Sequence, residues 1–165
     1  MDQVWSKLTI SPTHLTNIST CLDNLSAQSN ICAMVLHSSG QVISSQGELP
    51  DCDLGTLGVL LAGNFATARE TAKLLREPEF KSLFLEGKSR RLFSLSVGKH
   101  WMLSVVFGPS IRIGLIKSLC LKVAKELELV LRDPGDDGEV QGVGVDQEFR
   151  ESALTAIDLI FREAP

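Results

Sequence analysis

Gly87-Lys88-Ser89 is the stretch of this 165-residue chain that comes nearest to a phosphate-binding loop, and its surroundings argue against that chemistry. Such a loop needs a glycine five positions before the Gly-Lys pair and a helix directly after it, where the backbone N–H groups cradle phosphate. Ser82 stands at the first place, and the pattern from Arg91 onward predicts a strand. His14, His37 and His100 fall in separate elements without H-E-x-x-H or H-x-H spacing, so they read as surface or packing residues. Cys21, Cys32, Cys52 and Cys120 show no C-x-x-C pair, which predicts small core or surface thiols and neither a zinc site nor a disulfide scaffold. Ser44-Ser45 lacks the G-x-S-x-G setting of an activated nucleophile. Asp51 and Asp53 suit the start of a helix better than a general acid and base. The basic run Lys88, Arg90, Arg91 reads first as a solvated loop, with partner docking or an arginine finger as the sharper alternative. No catalytic centre, cofactor or metal site is expected, so the chain is not read as an enzyme.

The alternating run Ile31, Ala33, Val35 and the run Val42, Ile43 flank the turn Ser38-Ser39-Gly40, a hairpin over 31–47. Before it, Ser11-Pro12 reads as N-cap and first helical residue, and Leu15, Ile18, Leu22 and Leu25 predict an amphipathic helix to about Ser26. After it, Asp51 or Asp53 can cap a long helix from Asp53 to about Arg76, which Pro78 ends. Strands are expected over 81–85, 91–97 and 101–107, the last two joined by Gly98-Lys99, and the third is apolar on both faces as a central strand would be. A closing helix capped by Ser110 carries Ile113, Ile116, Leu119, Val123, Leu127 and Val130 in one stripe. This order predicts an α+β sandwich, a five-stranded antiparallel sheet covered by helices on both faces.

The long helix is the feature that points to assembly. Leu54, Leu57, Val59, Leu60, Leu61, Ala62, Phe65 and Ala66 run all the way round its first half, and Gly55, Gly58 and Gly63 let another surface approach closely. A helix of that kind is buried on more than one side, so a face should meet a second chain.

Composition limits the other possibilities. A hydrophobic share of 44% excludes global disorder, and no apolar run reaches the roughly 18 to 20 residues of a membrane span. The start, Met1-Asp2-Gln3-Val4-Trp5, has an acid and no apolar core, so no signal peptide is expected and a cytosolic protein is the default. The net charge of -4 is unevenly spread: residues 133–146 contribute -5, residues 147–165 contribute -2, and residues 1–132 carry +3 on dispersed lysines and arginines. That dispersion is not a nucleic-acid footprint. The chain therefore divides into a domain over 1–132, a flexible acidic linker over 133–146, and an amphipathic helix within 147–165 whose Phe149, Ile157 and Phe161 are its anchoring side chains.

Gly40-Gln41-Val42-Ile43-Ser44-Ser45-Gln46-Gly47, Leu61-Ala62-Gly63-Asn64-Phe65-Ala66, Glu79-Phe80, Glu86-Gly87, Leu103-Ser104-Val105-Val106-Phe107 and Ile113-Gly114-Leu115-Ile116, in this order, resemble the roadblock/LC7 family. The combination looks most like its MglB branch, bacterial partners of the small Ras-like GTPase MglA, over about residues 14–132. The resemblance implies a profilin-like sandwich that forms a homodimer by pairing long helices and extending the sheet across the two-fold axis. It implies a role in cell polarity and motility through acceleration of GTP hydrolysis without an arginine finger, with a C-terminal helix that makes a second contact and can favour nucleotide exchange. Carried over by position, Ala66, Arg69, Glu70 and Lys73 would lie on the docking face, and Leu57, Leu60 and Gly63 near the dimer contact. Where such helices tend to carry small residues after Ala62-Gly63-Asn64, this chain has Arg69-Glu70. The alternative reading is a structural roadblock adaptor that scaffolds a complex without altering a nucleotide cycle.

Overall fold

A computed structural model of the chain describes residues 10–27 and 30–132. Helix α1 (Pro12–Ser26) starts where Ser11 Oγ accepts the His14 N–H at 3.3 Å and Pro12 supplies a pre-set first φ. It is followed by the hairpin β1 (Ile31–His37) and β2 (Val42–Gln46), and then by α2 (Leu54–Leu75). The Asp53 carboxylate accepts from the Thr56 hydroxyl and Gly55 N–H, contacts that hold its pKa below the ordinary aspartate value. Arg76, left-handed at φ 57, closes α2 two residues before Pro78. Strands β3 (Ser82–Glu86), β4 (Arg91–Val97) and β5 (Trp101–Phe107) lead into α3 (Ile113–Val130).

The strands form one antiparallel sheet in the order β2-β1-β5-β4-β3. The strand expected to be central, β5, is central, and with β1 it is buried on both faces because helices cover both sides. On one face, α1 and α3 pack Ile18, Leu22, Leu25, Ile116, Val123 and Leu127 over Ala33, Val35, Phe93, Leu103 and Val105. At roughly 1.5 to 3 kcal/mol for each large side chain, this layer supplies most of the driving force for folding. On the other face, α2 lays Leu61 and Phe65 on Cys32, Met34, Leu36, Met102 and Val106. Ser94 and Ser104, the buried polar pair of this face, lie opposite each other in the β4–β5 register and share a hydrogen bond of 2.8 Å, which satisfies both hydroxyls.

Glycine sets two close approaches. A Cβ on Gly58 of α2 would lie 2.5 Å from Gly40 O, and one on Gly40, at φ +93, would lie 2.8 Å from Val59 Cα, so the β1–β2 turn and α2 meet backbone to backbone. Gly47, at φ +90, ends β2 where a Cβ would collide with Ile31 O.

Some expectations need correction. Ser110 does not cap α3: residues 108–111 make a turn, with Ile111 N–H reaching Gly108 O at 3.3 Å, so the helix begins after Arg112 without a side-chain cap. The third strand lies one residue later than expected, because pairing with β4 runs from Ser82 opposite Leu95 to Glu86 opposite Arg91. Leu15 sits outside the buried stripe of α1, which instead includes Cys21.

The four cysteines are free thiols, three of them buried. Burial pushes the Cys120 thiol up to about 12, and burial is also the main cause that raises Cys21 and Cys32, with the charges of Glu126 and Cys52 adding to it. Iodoacetamide at mildly alkaline pH should therefore modify half-exposed Cys52 first and leave Cys120 untouched until the protein unfolds. Peptide mass spectrometry of timed samples checks this; equal rates at Cys52 and Cys120 would contradict the packing of α3.

Candidate partner-binding surface

Helix α2 buries Gly58, Leu61, Phe65, Ala68 and Ala72, a stripe at three- and four-residue spacing that faces the sheet. Its opposite side carries Thr56, Leu60, Gly63, Thr67, Glu70 and Leu74, all exposed and spaced four, three, four, three, four. That is the spacing of a helix–helix seam. Leu60 is 61% exposed and Leu74 86%, with Val59 beside them at 60%, so none of the described residues covers these large aliphatic side chains. Thr67 donates its hydroxyl to Gly63 O and Thr71 to Thr67 O, both at 3.0 Å, so these side chains turn their methyl groups outward with the polar atom already satisfied. Among the described residues, beyond its own helix backbone, nothing lies within 4 Å of where a Cβ on Gly63 would sit, and the small seam around it allows close backbone approach.

The sheet adds a second unpartnered feature. Among the described residues strand β3 is an edge, paired only with β4, and it exposes Phe84 and Leu85. Its outward backbone groups form a template for another strand. The opposite edge, β2, is half-buried along its whole length, and Gln46 Nε2 donates to Ser19 Oγ of α1 at 2.6 Å.

The residues singled out in the sequence fall in several places. Leu60 and Gly63 lie in the outward seam, whereas Leu57 is half-buried against the sheet on the α2 side. Ala66, Arg69, Glu70 and Lys73 are exposed along α2, with Lys73 Nζ 2.7 Å from Glu70 Oε1 in a solvent-exposed pair of small energetic weight. Phe149, Ile157 and Phe161 lie outside the described residues, as do the linker over 133–146 and the helix expected within 147–165.

Within the basic run, Arg91 is not a free finger. Gly87-Lys88-Ser89 forms the β3–β4 turn, closed by Gly87 N–H to Arg90 O at 2.9 Å, and a strand follows. Arg91 Nε lies 3.1 Å from Glu86 Oε2, its cross-strand neighbour, close enough for ion pairing but without hydrogen-bond alignment. Its Nη1 also donates to Pro109 O at 3.4 Å, so the guanidinium is tied to the sheet.

One grouping had no signal in the spacing. His37 and His100 come within 6.2 Å, ring to ring, and Trp101 packs edge-on against His37 at 5.0 Å, because β1 and β5 are neighbours and bring their turns together. Among the described residues no three His, Cys, Asp or Glu side chains gather to hold a metal ion, and no helix is long and apolar enough to cross a membrane.

An antiparallel sheet of this order between two helical layers is the roadblock/LC7 fold. Residues 31–107 match the Roadblock/LC7 domain. Its described domain is similar to Myxococcus xanthus MglB, with a TM-score of 0.69 and 28% identity over 77% of this chain and 99% of that one. It is also similar in fold to the gliding protein MglB of Thermus thermophilus, with a TM-score of 0.68 and 23% identity over 75% of this chain and 95% of that one. A third similar structure, an MglB with a tetrameric arrangement, gives 0.69 and 24% identity over 75% of this chain and 94% of that one. Among curated proteins none matches.

Proposed function

We propose that this protein is a cytoplasmic regulator of a small Ras-like GTPase of the MglA type, acting as a homodimer that accelerates GTP hydrolysis in bacterial cell polarity and motility. The observation that carries the proposal is the exposed seam from Thr56 to Leu74 on α2, whose Leu60 and Leu74 no other described residue covers. Pairing of two such helices, with β3 edges continuing the sheet, would bury Leu60 and the Gly63 neighbourhood. Ala66, Arg69, Glu70 and Lys73 along the flank would then meet the GTPase, and residues 147–165 would reach it at a second point through Phe149, Ile157 and Phe161 and promote exchange. The restraint of Arg91 by Glu86 favours a mechanism in which the GTPase uses its own catalytic groups.

A single-turnover GTP hydrolysis assay with an MglA-type GTPase tests the proposal. The protein alone should hydrolyse no nucleotide, the mixture should hydrolyse GTP faster than the GTPase alone, and R90A/R91A should retain most of the stimulation. An arginine finger contributes roughly 10³ to 10⁵ in rate, so loss of an effect of that size would overturn the finger-free mechanism. Binding without any change in rate would instead favour the scaffolding adaptor. Truncation after Arg132 should leave the fold and dimer intact and weaken GTPase binding; unchanged affinity and exchange would remove the tail from the mechanism.

A further inference from the structure

The C-terminal half of α2 leaves a cleft of about 400 Å³ between itself, the segment leading into β3 and the β4–β5 turn. Its size is that of a small-molecule site. Phe65 and Met102, both almost fully buried, line it together with half-buried Trp101 and Phe80, so it offers an aromatic and apolar surface. Arg69 and Lys73 follow Phe65 at successive four-residue steps, which sets the two cations on the same side of the helix as the ring. Lys99 approaches from the β4–β5 turn. One acid, Glu79, shares the lining, and Lys73 is occupied by Glu70. Arg69 makes no side-chain hydrogen bond or ion pair among the described residues, which leaves a planar five-donor fork beside an aromatic wall.

We propose that this cleft binds a small aromatic anion, a flat ring carrying a carboxylate or phosphate. The ring would lie against Phe65, Trp101 and Phe80, where apolar area is removed from water and offset or edge-to-face stacking is available. The head group would take paired N–H donors from Arg69. An uncharged ring would forgo the Arg69 contact, and an inorganic anion would forgo the aromatic surface. The site stands on the geometry of one protomer and does not depend on the GTPase reading.

Two-dimensional 1H–15N NMR of the full chain, titrated with phenyl phosphate, tests this, with inorganic phosphate and benzyl alcohol as the two halves of the probe. Phenyl phosphate should give saturable shifts at residues 98–102 and at the Trp101 indole N–H, and each half should bind at least about tenfold more weakly. Arg69→Gln, at an exposed position, should weaken phenyl phosphate by about tenfold and leave benzyl alcohol unchanged. Lack of saturation, shifts scattered away from the cleft, or an equal response to inorganic phosphate would overturn the site. So would an Arg69→Gln variant that binds phenyl phosphate as the parent does.

Discussion

Gly63→Arg should leave each protomer folded and abolish the proposed pairing of the long helices. Among the described residues the position is open, with nothing beyond its own helix backbone within 4 Å of a Cβ, and a side chain there points away from the sheet along with Leu60 and Thr67. The fold therefore has room for the guanidinium. In a seam where two helices approach at a glycine, the same group would be desolvated without a partner, and on the two-fold axis it would face its own copy. An unpaired buried charge costs on the order of 3 to 5 kcal/mol, which weakens dimerisation by roughly a hundred- to several-thousandfold. Sedimentation should show a fall from twice the chain mass of 18.0 kDa to that mass, with an unchanged circular dichroism spectrum. Stimulation of the GTPase should fall with the dimer. A Gly63→Arg protein that remains a dimer would place the contact elsewhere, and a monomer with full stimulation would show that helix pairing is dispensable.

Gly47→Ala should be among the most destabilising single-methyl changes in the domain. At φ +90 the backbone is in the region that L side chains avoid, and the new methyl would be driven against Ile31 O and Cys32 Cα, both main-chain atoms of an inner strand. No rotamer relieves such a contact. Either β2 shifts off β1, with loss of pairing between Ala33 and Gln46, or β1 moves in a core it fills on both faces. An expected loss of about 3 kcal/mol or more corresponds to a fall in Tm of roughly 10 °C for a chain of this size. Gly98→Ala is the internal comparison: at φ +59 with nothing within 4 Å it meets backbone strain alone, about 1 to 2 kcal/mol. Thermal and urea melts of the two variants check the ordering; equal losses would mean that the Ile31 contact relaxes freely.

These two glycines also mark what local pattern conveys and what it does not. Helix α1 is legible from Ser11-Pro12 and the Ile18, Leu22, Leu25 stripe because cap chemistry and periodicity are both written within fifteen residues. Strands β4 and β5 are legible for the same reason, and the two-sided apolar character of β5 already speaks for its central place. Ser110 misleads because a good N-cap residue can equally occupy a turn, and only the Gly108–Ile111 hydrogen bond decides between them. The all-round apolar start of α2 announces a second contact, yet which residues face outward depends on how the helix sits on the sheet. That rotation places Leu57 half-buried and Leu60 in the open. The meeting of His37 with His100 follows from strand neighbours about sixty residues apart in sequence, and the cleft beside Trp101 from the packing of α2 on a strand more than thirty residues later, distances at which no spacing rule operates.

The backbone contact between Gly40 and Gly58 has a mechanical consequence. Where side chains separate two elements, rotamer changes absorb small displacements; here no such cushion exists, because Gly40 O and the Val59 backbone already occupy the space a Cβ would need. A sliding or rolling displacement of α2 is therefore transmitted directly to the β1–β2 turn. Ser38 in that turn donates its N–H to His100 O at 2.8 Å, which carries the same displacement to the β4–β5 turn. A load applied to the outside of α2 thus reaches the far rim of the cleft through two stiff main-chain links, and the helix, the two turns and the cleft respond as one lever.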